Sequence, residues 1–290
     1  MKQISLFTMI VAVLFSACTG GGQKAEEKKD EGMFTGAKGE VKLMTLDPGH
    51  FHAALVQKSM YDQVDPVVHV YAPEGPEVED HLARIEGYNK SSENPTSWET
   101  VIYKGPDYLE KMLSEKPGNV IVVAGNNAKK IEYILKAVEA GINVLADKPM
   151  VISPDEFPKL EQAFRVAEDK GVLLYDIMTE RHEVTTILQR ELSKIPEVFG
   201  NLQKGTPDEP AVTKESVHHF FKYVSGSPLK RPPWYFDVKQ QGEGLVDVTT
   251  HLVDLIQWKA FPEVSLNKGD VEIISAKRWT TDLTKEMFKK

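Results

Sequence analysis

The sequence has one cysteine, Cys18, so no disulfide forms within the chain. It has little positive charge to spare: 35 Lys and Arg against 43 Asp and Glu leave a formal net charge of −8. No basic stripe or aromatic ladder offsets that balance, which excludes a nucleic acid partner. Internal repeats are absent too, which excludes a solenoid or propeller. The apolar stretch Ile4–Phe15 is far shorter than the roughly 20 residues that a spanning helix needs. What is present is 290 residues, 41% of them hydrophobic, enough for two modest domains.

The first residues read as an export signal. Met1-Lys2 is a minimal basic start, Ile4–Phe15 is the apolar segment, and Ser16-Ala17-Cys18 supplies small residues before a cut. Leu14-Phe15-Ser16-Ala17-Cys18 resembles a bacterial lipobox, with Phe15 in place of the usual aliphatic residue. Residues 1–17 are therefore expected to be a signal peptide and 18–40 a flexible tether lipidated at Cys18, rich in Gly, Lys and Glu. That places the protein in a bacterial cell envelope, lipid-anchored and facing the periplasm or in the outer membrane. An ordinary cleavage site beside a free cysteine is the alternative.

From Val41 onward, strand and helix periodicities alternate. Asn119–Ala124 is a continuous β-branched run, Gly125-Asn126-Asn127 turns, and Ala128–Ala140 carries Ile131, Ile134, Leu135 and Val138 on one helical face. Gly141 stops that helix and Asn143–Ala146 makes the next strand. Ligands of open parallel sheets bind off the carboxyl ends of the strands, where Asp147-Lys148-Pro149 falls. Pro149 restrains Lys148 to an extended backbone and aims its ammonium from a rigid elbow. The plain alternative is a solvated, exposed lysine in a turn.

Further on, Gly242–Ile256 places Leu245, Val248, Leu252, Leu255 and Ile256 on one buried stripe of a helix-like segment. Asp247, His251 and Asp254 share a second stripe at i, i+4 and i+7. A carboxylate one turn from an imidazole fixes its tautomer and raises its basicity, as a general base requires. An exposed Asp–His helix pair is the structural alternative.

With these two motifs in order, the sequence from Val41 to Trp258 resembles the glucose-fructose oxidoreductase, inositol dehydrogenase and rhizopine catabolism (Gfo/Idh/MocA) family. Its strand-end Glu-Lys-Pro appears as Asp147-Lys148-Pro149, and its glycines followed by Asp-x-x-x-His-x-x-Asp appear as Gly242 through Asp254. The resemblance implies a Rossmann-like doubly wound parallel sheet over 41–177 and an α+β substrate domain over 178–290. It also implies an NAD- or NADP-dependent oxidoreductase of sugar, polyol or glycoside chemistry. Lys148 is then placed near the nicotinamide and the substrate hydroxyl, with Asp247 and His251 handling the proton.

The departures are specific. In place of Gly-x-Gly-x-x-Gly, Met44 and Leu46 hold the first two glycine positions and only Gly49 remains. The second strand, Pro66–Tyr71, ends in Ala72-Pro73, with Glu74 the nearest acid for a ribose. Asp47, His50 and His52 make either a remodelled phosphate turn or part of the substrate site. The cofactor set is accordingly Gly49, His50, His52, Asn126, Asp147, Lys148 and Pro149. Arg181, His182, Trp234 and Asp254 are candidates for contacts with a carbohydrate. His218-His219 match no compact metal spacing, and no metal is expected.

Phe261–Lys290 hold one evident strand, Val271–Trp279, so the second-domain sheet reads as truncated, with an open edge that invites a homo-oligomer. Two functions stay open: a redox-neutral or ordinary nicotinamide-dependent enzyme with a tightly held cofactor, or a non-catalytic, membrane-tethered glycan-binding protein on the same fold.

Overall fold

The computed structural model describes residues 34–216, 222–224, 226–282 and 284–288. The signal segment 1–17, Cys18 and His218-His219 lie outside the described residues.

Six strands make one parallel sheet: β1 (Leu43–Leu46), β2 (Val67–Ala72), β3 (Glu99–Lys104), β4 (Val120–Val123), β5 (Asn143–Ala146) and β6 (Leu174–Asp176). Five helices connect them: α1 (His52–Leu55), α2 (Pro76–Asn89), α3 (Tyr108–Glu115), α4 (Asn127–Glu139) and α5 (Phe157–Lys170). Strand order is β3-β2-β1-β4-β5-β6. The chain leaves β3 and returns on the far side of β1, so the order reverses between β1 and β4, where such sheets open a crevice. Strands β1 and β4 are buried at every residue, which is why β4 reads as an unbroken apolar run and β1 as one interrupted only by Thr45. Strand β3, at the edge with Val101 and Ile102 exposed, lacks that run and is left unassigned by the pattern.

Side chains fill both faces. Met44, Leu46, Ile121 and Val123 pack against Ile134, Ala137 and Val138 of α4 and Ala163 and Ala167 of α5. Leu43, Val68, Val120 and Val122 pack against Ala53, Ala54, Ile85 and Trp98 on the other face. Each large side chain buried this way contributes roughly 1.5–3 kcal/mol. Caps set the helix limits: the Asn126 side chain accepts from Ala128 N at 3.1 Å to start α4, and Gly171, at φ 65°, closes α5.

Beyond Met178 the structure departs from expectation. There are α6 (Val184–Ser193), α7 (Pro196–Phe199), a two-stranded hairpin of β7 (Tyr223–Val224) and β8 (Ser227–Pro228), then α8 (Val238–Gln241), α9 (Gly244–Asp247) and α10 (Thr249–Ala260). That hairpin is the only sheet of this region among the described residues, so the edge expected to pair copies of the chain is not built there. The expected strand Val271–Trp279 is irregular, with Ile273, Ile274 and Trp279 exposed, and no strand among the described residues pairs with its backbone. The helix-like segment 242–256 is helical from Gly244 as α9 and α10, which Val248 joins with right-handed helical angles (φ −94°, ψ −40°), and only Leu255 of its apolar stripe is buried. Nothing among the described residues packs over Leu245, which is exposed.

Candidate functional site

The turn after β1 is docked on the end of β4. Gly49 N and His50 N both donate to Ala124 O, at 3.1 and 3.0 Å. Asp47 begins this turn at φ 43°, a left-handed conformation that Asp tolerates better than most residues. Its carboxylate is held by Tyr133 Oη at 2.7 Å and Lys129 Nζ at 3.3 Å. The two turns approach so closely that a Cβ on Gly125 would meet Asp47 O at 2.2 Å. At Gly49 a Cβ would meet the Trp234 ring at 3.2 Å, so the one surviving motif glycine lies under an aromatic side chain.

Asp147, at the end of β5, is 2% exposed and is not presented to a cofactor as expected. Its Oδ1 pairs with Lys130 Nζ, its Oδ2 receives His50 Nδ1 at 2.8 Å, and His52 Nδ1 lies 3.2 Å away. Lys130, fully buried on α4, is fixed further by Asn127 Oδ1 at 2.8 Å. Burial alone would raise the Asp147 carboxyl; Lys130, His50 and His52 outweigh it and hold it well below the ordinary range. Burial, followed by the neighbouring His52, pushes His50 down to about 3, so it is neutral at physiological pH.

Lys148 is buried rather than exposed. Its Nζ donates to Asp247 Oδ1 at 3.0 Å and to the Asp247 carbonyl. Tyr235 Oη donates to Asp247 Oδ2 at 3.0 Å, so one carboxylate joins the strand-end lysine to an aromatic hydroxyl. His251 lies one turn on, but the expected lock by Asp247 is not its geometry: Nδ1 is buried without a hydrogen-bond partner, and Nε2 is 4.0 Å from Glu180 Oε1. The Asp247 carboxylate is taken up by Lys148 and Tyr235 instead. Burial, then the Lys148 ammonium, push His251 below its ordinary value, leaving a neutral imidazole able to accept a proton.

The remaining expected residues divide. Arg181 and Asp254 form a two-pronged pair, with Nε to Oδ2 at 2.8 Å and Nη2 to Oδ1, so neither side chain is presented singly. Nearby Asp176, at the end of β6, is raised to about 6 by burial and then by Asp254, and its Oδ1 has no partner. His182 is exposed in a short turn and is not brought to the site. Asn126 spends its side chain capping α4 and donating to Gln240 Oε1 at 2.8 Å. With Asn127 Nδ2 donating to Gln241 O at 2.9 Å, it ties α8 to the start of α4. Pro149 follows Lys148 through a cis peptide.

Lys130, Tyr133, Glu180 and Tyr235 are site residues that the sequence reading misses. For Lys130 there was a signal: it falls one turn before Ile134 on the apolar face of α4, where a lysine needs a buried partner.

A cavity of about 480 Å³ opens beside this cluster, at the carboxyl ends of β1 and β2. Pro48–Phe51, the first turns of α2 and the segment Leu229–Pro233 line it. A crevice at the strand-order reversal, a turn glycine with no room for a side chain and an adjoining cavity together fit an extended dinucleotide.

Comparison with known proteins agrees. Residues 48–176 match the family model "Oxidoreductase family, NAD-binding Rossmann fold", and 188–290 match "Putative oxidoreductase C terminal domain". A crystal structure of a "putative oxidoreductase" from Parabacteroides merdae is 65% identical, with TM-score 0.76, over 80% of this chain and 53% of that one. The chain thus spans about half the length of that relative. WlbA dehydrogenase from Bordetella pertussis, solved with NADH and UDP-GlcNAcA, is 15% identical with TM-score 0.52, over 78% of this chain and 56% of that one. GenD2 from gentamicin A biosynthesis, solved with NAD, is 17% identical with TM-score 0.53, over 79% of this chain and 55% of that one. At those identities the likeness shows the fold alone. No curated protein matches the chain.

Proposed function

Because the chain belongs to the Gfo/Idh/MocA oxidoreductase family, we propose that it holds NAD or NADP across the β1/β4 crevice and acts on a hydroxyl-bearing carbon of a sugar, polyol or glycoside. The observation that carries this reading is the joining of Lys148 to Asp247 and Tyr235 at the end of β5, with neutral His251 one turn along.

When bound, the nicotinamide supplies a hydride acceptor and donor. The chain's own residues do the rest. Gly125 lets the turns after β1 and β4 meet, and Gly49 lies beneath Trp234, so these turns and this ring would form the wall against which the dinucleotide lies. Lys148 donates a charge-assisted hydrogen bond to the oxygen being oxidised, and His251 takes the hydroxyl proton as the C–H bond gives up its hydride. Asp247 and Tyr235 hold the lysine in place.

In the cell envelope, where Cys18 would anchor the protein by lipid, free nicotinamide is scarce. A nicotinamide held tightly in the crevice would support a redox-neutral reaction, which suits that compartment. Oxidation to a ketone acidifies the neighbouring C–H, and His251, once it has passed the hydroxyl proton to solvent, is again neutral and can remove that C–H proton and return one. Two measurements test this. Mass spectrometry of denatured protein should find released NAD or NADP. Turnover of glycosides in deuterated water without added cofactor should place deuterium next to the oxidised carbon. An empty protein that also fails to bind added NAD or NADP sinks the enzyme and favours glycan binding on the same fold. Stoichiometric NADH release leaves an ordinary dehydrogenase. Mass spectrometry of the mature N-terminus tests the lipid on Cys18.

A further inference from the structure

We propose that His50, His52 and Asp147 bind one divalent transition-metal ion of the zinc or ferrous type at the turn after β1. The donor atoms of these three residues lie within 4.8 Å of one another. They also converge: His50 Nδ1 and His52 Nδ1 stand 2.8 and 3.2 Å from the same oxygen, Asp147 Oδ2. Ligand pairs around a four-coordinate ion, with bonds of about 2.0–2.2 Å, stand roughly 3.3 Å apart; both histidine distances to Asp147 Oδ2 lie within a few tenths of an ångström of that, and small side-chain movements bring the two imidazoles to the same spacing.

Two imidazoles and one carboxylate suit zinc or ferrous iron better than magnesium or calcium, which prefer oxygen alone. His52 is 6% exposed, and its Nδ1 stands 3.2 Å from Asp147 Oδ2 without the direction of a hydrogen bond. A buried polar atom left in this way costs stability that a bound ion restores. The second carboxylate oxygen is already committed: Lys130 Nζ holds Oδ1 and is itself fixed by Asn127 Oδ1 at 2.8 Å. That outer pair orients Asp147 so that Oδ2 is the oxygen offered to an ion. His50 lines the 480 Å³ cavity, so the ion's remaining position opens toward space that a ligand can enter.

The site is independent of the nicotinamide reading, and its test contains no nucleotide. Chelator-stripped full chain is titrated with cobalt(II), whose visible absorption bands report nitrogen and oxygen ligands. One equivalent should bind with saturating bands that zinc(II) abolishes. His52→Gln should weaken cobalt binding at least tenfold, with His182→Gln, an exposed histidine, as the unchanged control. If circular dichroism shows His52→Gln unfolded, His50→Asn takes its place. Binding well below one equivalent in the parent protein overturns the proposal whatever the variants do. So do bands that persist unchanged when the histidines are replaced, since the ion would then lie elsewhere.

Discussion

Lys148 Nζ lies 3.0 Å from Asp247 Oδ1, a contact that spans 99 positions of sequence and joins the end of β5 to the end of α9. Both partners are largely buried, at 7% and 14% side-chain exposure, so the pair is structural as well as chemical. Lys148→Met keeps the bulk and removes the charge. We expect turnover to fall by about 10²–10³, the usual loss when one preorganised donor is removed. Stability should also fall, by about 1–3 kcal/mol, because Asp247 loses a buried donor. Turnover within a few-fold of the parent in a folded variant would remove Lys148 from the mechanism.

His81 links pH to stability. It is 3% exposed on α2, neither ring nitrogen has a hydrogen-bond partner, and burial followed by Arg84 pushes it from 6.5 down to about 4. Between those values the unfolded chain binds the proton and the folded one does not, so this contribution is intact above pH 6.5 and is lost as the pH falls toward 4. The slope from one group is at most about 1.4 kcal/mol per pH unit. His50 adds to it, and Asp176, raised to about 6, opposes it over part of the range. Urea melts of His81→Leu from pH 7 to 4 should show a shallower acid loss than the parent; parallel curves would show that His81 does not titrate in this window.

The parallel sheet was legible because β4 is an unbroken β-branched run followed by Gly-Asn-Asn, and β1 and β5 are short, mostly apolar segments that each end at an Asp. The strand-end lysine and the Asp-x-x-x-His segment were legible as motifs, yet their partners were not. Lys148–Asp247 is a contact between remote segments, and periodicity speaks only of neighbours within an element. The same limit explains why Asp147 was read as a cofactor contact: nothing local shows that Lys130, His50 and His52 surround it. The helical reading of 242–256 holds from Gly244 onward, whereas the burial of its apolar stripe depends on what packs over it, which periodicity does not show. Val271–Trp279 has strand composition without a neighbouring strand among the described residues, and composition alone does not supply one.

Gly125 sets the distance between the β1 and β4 turns. An added Cβ would strike Asp47 O at 2.2 Å, and Asp47 cannot retreat freely, since its N donates to Tyr71 O at 2.9 Å and Tyr133 holds its carboxylate. Gly125→Ala should therefore cost about 1–3 kcal/mol. Gly87→Ala is the contrast: it lies inside α2 with open space around it, and should gain roughly 0.5–1 kcal/mol. Equal melting midpoints for the two variants would show that the turns do not meet as closely as described.

Trp234 provides an optical test of where the dinucleotide lies. Its ring covers Gly49 at the mouth of the crevice, so a nicotinamide dinucleotide seated on that turn brings an acceptor of indole emission close to this residue. The chain has four tryptophans, of which Trp98 is 4% exposed in the core and Trp279 is 84% exposed. Excitation of the indoles while NADH is added should quench emission and produce sensitised NADH fluorescence. Trp234→Phe should remove a large share of that transfer. Because an aromatic ring still covers Gly49, affinity should change little, whereas Trp234→Ala uncovers the turn and should weaken binding by several-fold. Transfer undiminished in the Phe variant would place the dinucleotide away from the β1 turn, and equal affinity in both variants would mean that this ring forms no part of the binding surface.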